Sequence, residues 1–223
     1  MQAPIKGFNP KLYPKGHITQ FYGENKELYK ANVCSGEGCM WGGHNGIDIV
    51  SPWGTPIFAV EDCIVVEVKD SATGYGKMVR AVNVEAGHEW TYGHLSEIKV
   101  TLNQLIKAGD NIGLMGNTGF VVSGATPYWK NNPYAGTHLH LNLRLIKKEA
   151  KKSNTSYPNG LQVTVLNHDN GCFGGVDWLP IYLGTTPDDP DDVKKIQGLQ
   201  LTVISLANQA ISLLNQLIKA KGG

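Results

Sequence analysis

At 223 residues the chain can bury one substantial core, and this length fits one main domain with something appended. Charge is balanced, with 20 Lys and Arg against 19 Asp and Glu, and charged residues are only 17% of the chain, so no global field favours nucleic acid or another polyanion. No stretch qualifies as a membrane span, and the opening MQAPIKGFNP lacks the basic and apolar regions of a secretory leader; the expectation is a leader already removed, or export by another route.

Twenty-seven glycines, eleven prolines and short β-branched runs between Gly, Asn or Asp turns predict a mainly β body. Cys34 and Cys39 bracket a small loop, SGEG, that a disulfide could staple, whereas Cys63 sits in the apolar run EDCIVVEV and reads as a buried thiol; Cys172 completes an even count that permits pairing without demanding it. From Ile47 to about Val100 the runs GIDIV, PIFAV, CIVVEVKD, MVRAVNVE and EWTYGHL read as one antiparallel system. The segment KAGDNIGLMGNTG sets Gly and Asp at two tight turns around a short strand, so its glycines serve backbone geometry. Between Gly119 and Gly136, Pro, Asn, Gly and aromatics follow no period, which predicts a long surface loop. A strand, LHLNLRLI, then a Lys- and Ser-rich passage and a last folded stretch, FGGVDWLPIYL, complete a domain over 1–180.

A Pro- and Asp-rich linker is expected over 181–191 and an amphipathic, coiled-coil-like helix over 192–221. In that tail Ile196, Leu199, Val203, Leu206, Ala210, Leu213 and Leu217 repeat at alternating steps of three and four, and Ser205, Asn208, Ser212 and Asn215 keep the other side polar. Such a helix would pack on its own domain, associate with a second copy, or dock into a larger assembly.

Three histidine arrangements invite a metal reading. In His44-Asn45-Gly46-Ile47-Asp48, the turn pair Asn45-Gly46 puts His44 at a bend and Asp48 on the strand that leaves it. His138 and His140 lie two apart on a strand and so share one face. His94 follows Tyr92 and Gly93 near a strand end. Each is weak alone. Together they supply a His, Asp, His set of N/O donors, the kind a catalytic zinc uses while keeping a fourth position for water, with two further histidines for proton transfer.

The order H-x-x-x-D, Y-G-H, K-A-G-D-x-I-G-x-x-G-x-T-G and H-L-H resembles the lysostaphin/LytM-type zinc endopeptidases, peptidase family M23, over roughly Ile18 to Leu145. The resemblance implies an antiparallel β-sheet domain of the duplicated hybrid motif kind, with one Zn2+ held by His44, Asp48 and His140. It implies His138 as the general base and His94 as oxyanion stabiliser or proton-transfer assistant. The reaction it implies is hydrolysis of peptidoglycan peptide bonds, in cross-links or stems, at an extracytoplasmic site or by a phage-encoded protein. The loop aromatics Tyr128, Trp129 and Tyr134 are candidate substrate contacts. His17, His88 and His168 match no motif and are read as surface residues.

Two other classes remain to be weighed. One is a catalytically silent relative that binds cell wall or activates another hydrolase, or serves as a structural part of a phage tail or surface assembly; such relatives usually lack a ligand, and all five site residues are present here. The other is a lipoyl-type carrier, which needs a lysine at a hairpin tip that the sequence does not offer.

Overall fold

The run Leu139 to Arg144 alternates apolar and polar residues without a break, and in an extended chain that period sends three leucines to one side and His140, Asn142 and Arg144 to the other. The computed structural model, which describes residues 1–10, 17–32, 42–123, 126–127, 132–148 and 153–184, uses this alternation to build a two-faced sheet. Cys34, Cys39, Tyr128, Trp129, the linker from residue 185 and the expected helix over 192–221 lie outside the described residues, and with them the loop disulfide and the self-association. Met1–Tyr182 forms one compact unit.

In chain order the elements are β1 (Ile18–Gln20), α1 (Lys26–Asn32), β2 (Ile47–Ile49), β3 (Pro56–Phe58), β4 (Cys63–Lys69), β5 (Lys77–Asn83), β6 (His88–Ile98) and β7 (Leu105–Ile106). They continue with β8 (Asn111–Met115), β9 (Val122–Ser123), β10 (Thr126–Pro127), β11 (Leu139–Lys147), β12 (Thr155–Ser156), β13 (Gln162–Val165), β14 (Gly175–Val176) and α2 (Leu179–Leu183). The main sheet runs β1-β2-β11-β6-β5-β4-β7, with β8 carrying β3 on the far part of β6 and with β13 and β14 on β11. Its pairings are antiparallel, as the strand-and-turn sequence predicts. The expected irregular loop after Gly119 contains a small ladder of its own, Ser123 opposite Thr126, too short for any period to register.

One face of the sheet is the core. Ile47, Ile49, Val65, Val79, Ala81, Trp90, Tyr92, Leu139, Leu141 and Leu143 bury there against Ile5, Phe8 and Trp178. Trp178 meets Trp90 edge-on at 6.0 Å between centroids, and its indole N–H donates to the Leu141 carbonyl at 2.9 Å, so the last folded stretch is fastened under the strand that carries the histidines. Cys63 is part of this core, and neither it nor Cys172 is in a disulfide.

The opposite face is polar where the ladder pairs His140 with Gly93, Asn142 with Thr91 and Arg144 with Glu89. Alternation in β4 puts Val65 and Val66 on opposite faces, the bulge that follows keeps Glu67 on the face of Val66, and Val66 joins Val82, Ile146, Tyr157, Val163 and Val165 in a second, smaller apolar cluster that closes one end of this polar face.

Candidate metal centre

Asp48 on β2 and His140 on β11 are direct cross-strand partners, so their side chains leave the same face of the sheet. His44 comes from the segment before β2. Its N–H donates to the Glu24 carbonyl at 2.9 Å and its carbonyl accepts from the Gly23 N–H at 2.7 Å, which pins the backbone against the turn after β1. Gly43 makes that approach feasible, because a Cβ there would lie 2.5 Å from the Gly23 carbonyl oxygen. Gly46, expected as a turn residue, has a different reason to be glycine: a Cβ would lie 2.7 Å from His140 Nε2 and 2.8 Å from the Leu141 carbonyl.

Three atoms converge. His44 Nε2 lies 2.9 Å from His140 Nδ1, and each lies 3.0 Å from Asp48 Oδ1. Hydrogen bonds cannot satisfy this triangle. If both nitrogens carry hydrogens, the two donors face each other; if either lacks one, two lone pairs oppose each other along at least one side. A cation resolves it, since a triangle with sides of about 3 Å admits a point roughly 2.0–2.1 Å from all three vertices, the usual zinc to N or O distance. His44 is already in the required tautomer: its Nδ1–H donates to the Phe21 carbonyl at 3.1 Å, leaving a lone pair on Nε2. All three residues are buried, and burial lowers the pKa of His140 to about 4, against the opposing pull of Asp48, so its ring is neutral at pH 7. Burial alone would raise the pKa of Asp48, yet the imidazoles of His138, His44 and His140 that face its carboxylate hold it well below the ordinary value. The donor set therefore fits a divalent metal. His140 Nε2 is buried without a partner among the described residues, a cost the fold accepts to aim Nδ1 at the triangle.

The other two histidines are held alike. His138 donates from Nδ1 to the Gly136 carbonyl at 2.7 Å and His94 from Nδ1 to the Thr118 carbonyl at 2.8 Å, which in the neutral tautomer leaves the lone pair on Nε2. Their centroids are 4.7 Å apart, and His138 Nε2 lies 3.7 Å from Asp48 Oδ2. His94 has φ 61° at the corner of β6, between the part that pairs β11 and the part that pairs β8. The left-handed conformation turns its imidazole toward His138 and His140, which simple alternation would not do. Burial, then His138 and His140, push its pKa well below that of a free histidine.

The five predicted histidine and aspartate positions are thus brought together. Tyr134 is 62% exposed and edge-on to Trp53 at 5.4 Å, while Tyr128 and Trp129 lie outside the described residues. His168 is at the surface beside Asp169. His88 is not a free surface residue, because it shares a hydrogen bond with Glu61 at 3.0 Å, and His17 is only partly exposed. Sequence reading missed Tyr29, whose ring stacks on His44 at 5.8 Å, and Tyr75, whose hydroxyl accepts from Asn45 Nδ2 at 2.6 Å and whose ring lies 5.1 Å from that of His140. Neither carries a local signal, since Tyr29 arrives from α1 and Tyr75 from the turn between β4 and β5.

A profile of the family described as "Peptidase family M23" matches residues 42–155, just over half of the chain, and that span contains all five residues. The chain belongs to peptidase family M23. Curated relatives of this M23 chain include the glycyl-glycine endopeptidase ALE-1 of Staphylococcus capitis, 35% identical over 37% of this chain and 23% of the relative. The peptidoglycan DD-endopeptidase ShyA of Vibrio cholerae is 33% identical over 45% of this chain and 20% of the relative. A solved structure of the catalytic domain of the prophage-encoded M23 protein EnpA of Enterococcus faecalis is 27% identical, covers 66% of this chain and 87% of that one, and superposes with a TM-score of 0.42. The M23 chain matches less than a third of the length of these two curated relatives.

Proposed function

We propose that this M23 domain is a zinc-dependent endopeptidase that hydrolyses peptide bonds of bacterial peptidoglycan, in cross-link or stem, outside the cytoplasm. The observation that carries the reading is the triangle of His44 Nε2, Asp48 Oδ1 and His140 Nδ1, which only a cation satisfies, beside two histidines that each offer a lone pair. Relatives named as peptidoglycan and glycyl-glycine endopeptidases support the substrate class.

A zinc ion in that triangle supplies Lewis acidity toward the scissile carbonyl and lowers the pKa of water. His138 accepts the proton at Nε2, and Asp48 Oδ2, at 3.7 Å, stabilises the imidazolium that results. His94 has its only N–H committed to Thr118 and is kept neutral by burial, so it faces the site as a hydrogen-bond acceptor. Of its two expected roles, this supports assistance in proton transfer over donation to an oxyanion.

The test is incubation of the purified protein with intact sacculi of several cross-link types, with and without chelator, and mass spectrometry of the released fragments. New peptide ends that vanish on chelation are expected. Zinc-loaded protein that opens no bond in any sacculus would overturn the reading. His138→Ala should keep stoichiometric zinc and lose about 10²–10⁴-fold in turnover, because it removes a proton acceptor and no ligand.

A further inference from the structure

Beyond the metal centre, the polar face of the sheet forms the floor of a cavity of about 370 Å³ whose lining runs from His94 and His140 past Asn142 to Arg144 and Arg80. Residues 140, 142 and 144 leave one face of β11, so Arg144 stands roughly 13 Å along the strand from His140. Two cationic side chains on the floor of a small cavity demand an account.

Part of that account is structural. Glu89, fully buried beneath them, accepts from Arg144 Nε at 2.7 Å and from Arg144 Nη2, pairs with Arg80 Nε at 3.1 Å, and accepts from the Tyr157 hydroxyl. Glu67 accepts from Arg80 Nη1. The carboxylates leave one amino group of each guanidinium unused. Neither Arg144 Nη1 nor Arg80 Nη2 has a partner among the described residues, and both arginines line the cavity whereas neither Glu67 nor Glu89 does. Burial disfavours the charge on Arg144, but Glu89 outweighs it and raises the pKa, so the cation is held firmly. Past the arginines the apolar cluster of Val82, Ile146, Tyr157 and Val163 closes the face, which makes this the blind end.

We propose that this blind end is a carboxylate-binding subsite, in which Arg144 and Arg80 hold a free carboxylate of the peptide about three to four residues from the bond at the metal, given an extended rise of roughly 3.4 Å per residue. The assignment rests on the endopeptidase reading for what the peptide is, and it makes this chain select acidic or free-ended stems. The carboxylate comes from the end of the peptide chain or from a side branch; both present the same oxygens to the same donors.

The test uses zinc-loaded His138→Ala protein of full length, to prevent turnover, and four synthetic stem-type pentapeptides with the terminal and the branch carboxyl each free or amidated. Binding is measured by calorimetry, and the Arg144 and Arg80 Nε–H signals are followed by NMR. Amidation of one of the two carboxyls should weaken binding roughly tenfold or more and abolish the shift of both arginine signals, and which amide does so names the source. Affinities within about a factor of two for all four peptides, or an acid preference that leaves the arginine signals unmoved, would overturn the subsite. Digestion of sacculi by the unaltered protein reads the other question separately: acid-selective binding without cleavage upholds the subsite and sinks the endopeptidase reading.

Discussion

The polar face carries two charged clusters, four residues apart along β11, and they are built on opposite principles. Around Glu89, donors meet acceptors: two guanidiniums and a phenol hydroxyl surround one carboxylate, and a bulged β4 brings Glu67 to the remaining charge. Around Asp48, two ring nitrogens and a carboxylate oxygen crowd within 3.0 Å with no arrangement of hydrogens that suits all three sides. The first cluster balances its charges without a ligand, two arginines against two glutamates, and organises the floor. The second is complete only with a cation. A buried polar group left unsatisfied costs stability, so where the fold retains such a group it marks the place reserved for something else.

Four substitutions sharpen or break this contrast. Asp48→Ala should have the largest effect, removing metal and hydrolysis together by elemental analysis and sacculus digestion; stoichiometric zinc held tightly by that variant would show the ligand assignment to be wrong. Glu89→Leu should leave the ligands in place but strand the largely buried Arg144 and leave Arg80 with Glu67 alone, and urea unfolding should register a loss of about 3–5 kcal/mol. Were the loss in Glu89→Leu confined to zinc content, the two clusters would not be the separate devices described. Gly46→Ala should weaken zinc affinity by roughly 10–100-fold in a competition titration, since the new methyl displaces the His140 ring and the Leu141 carbonyl behind it cannot yield.

The smallest effect tests a satisfied pair away from both clusters. Burial raises the pKa of Glu61, but hydrogen bonds from His88 and Trp90 outweigh it and hold the group below the ordinary glutamate value. A folded pKa below the unfolded one gives stability that is present above the ordinary value and lost as pH falls through the lowered one. Glu61→Gln should therefore cost about 1 kcal/mol at neutral pH and progressively less in acid, read from urea midpoints across that window.

Much of this was legible in the sequence because it is periodic or local. The alternation in β11 announces a two-faced strand, His138 and His140 share a face by parity, and the spacing from His44 to Asp48 spans one bend and one strand. The same alternation also contained Asn142 and Arg144, so the cavity floor was readable in principle from the residues that follow the histidines. Short elements escaped because four or fewer strand residues, or one seven-residue helix, give no period: β9, β10 and α1 are of this kind.

What sequence alone determined is the donor set, the β architecture and the family, since these follow from residue type and spacing along one chain. Only the tertiary structure decided the rest. It alone shows which nitrogen each histidine presents, because that depends on carbonyls of Phe21, Thr118 and Gly136 brought from other segments. It likewise decides why Gly46 must lack a side chain, how a left-handed residue at 94 turns a strand corner into a site wall, and which amino groups of two arginines Glu89 and Glu67 leave open. Each of these is a contact across the sheet, and register between distant strands is set by packing of the whole core, which no local pattern encodes.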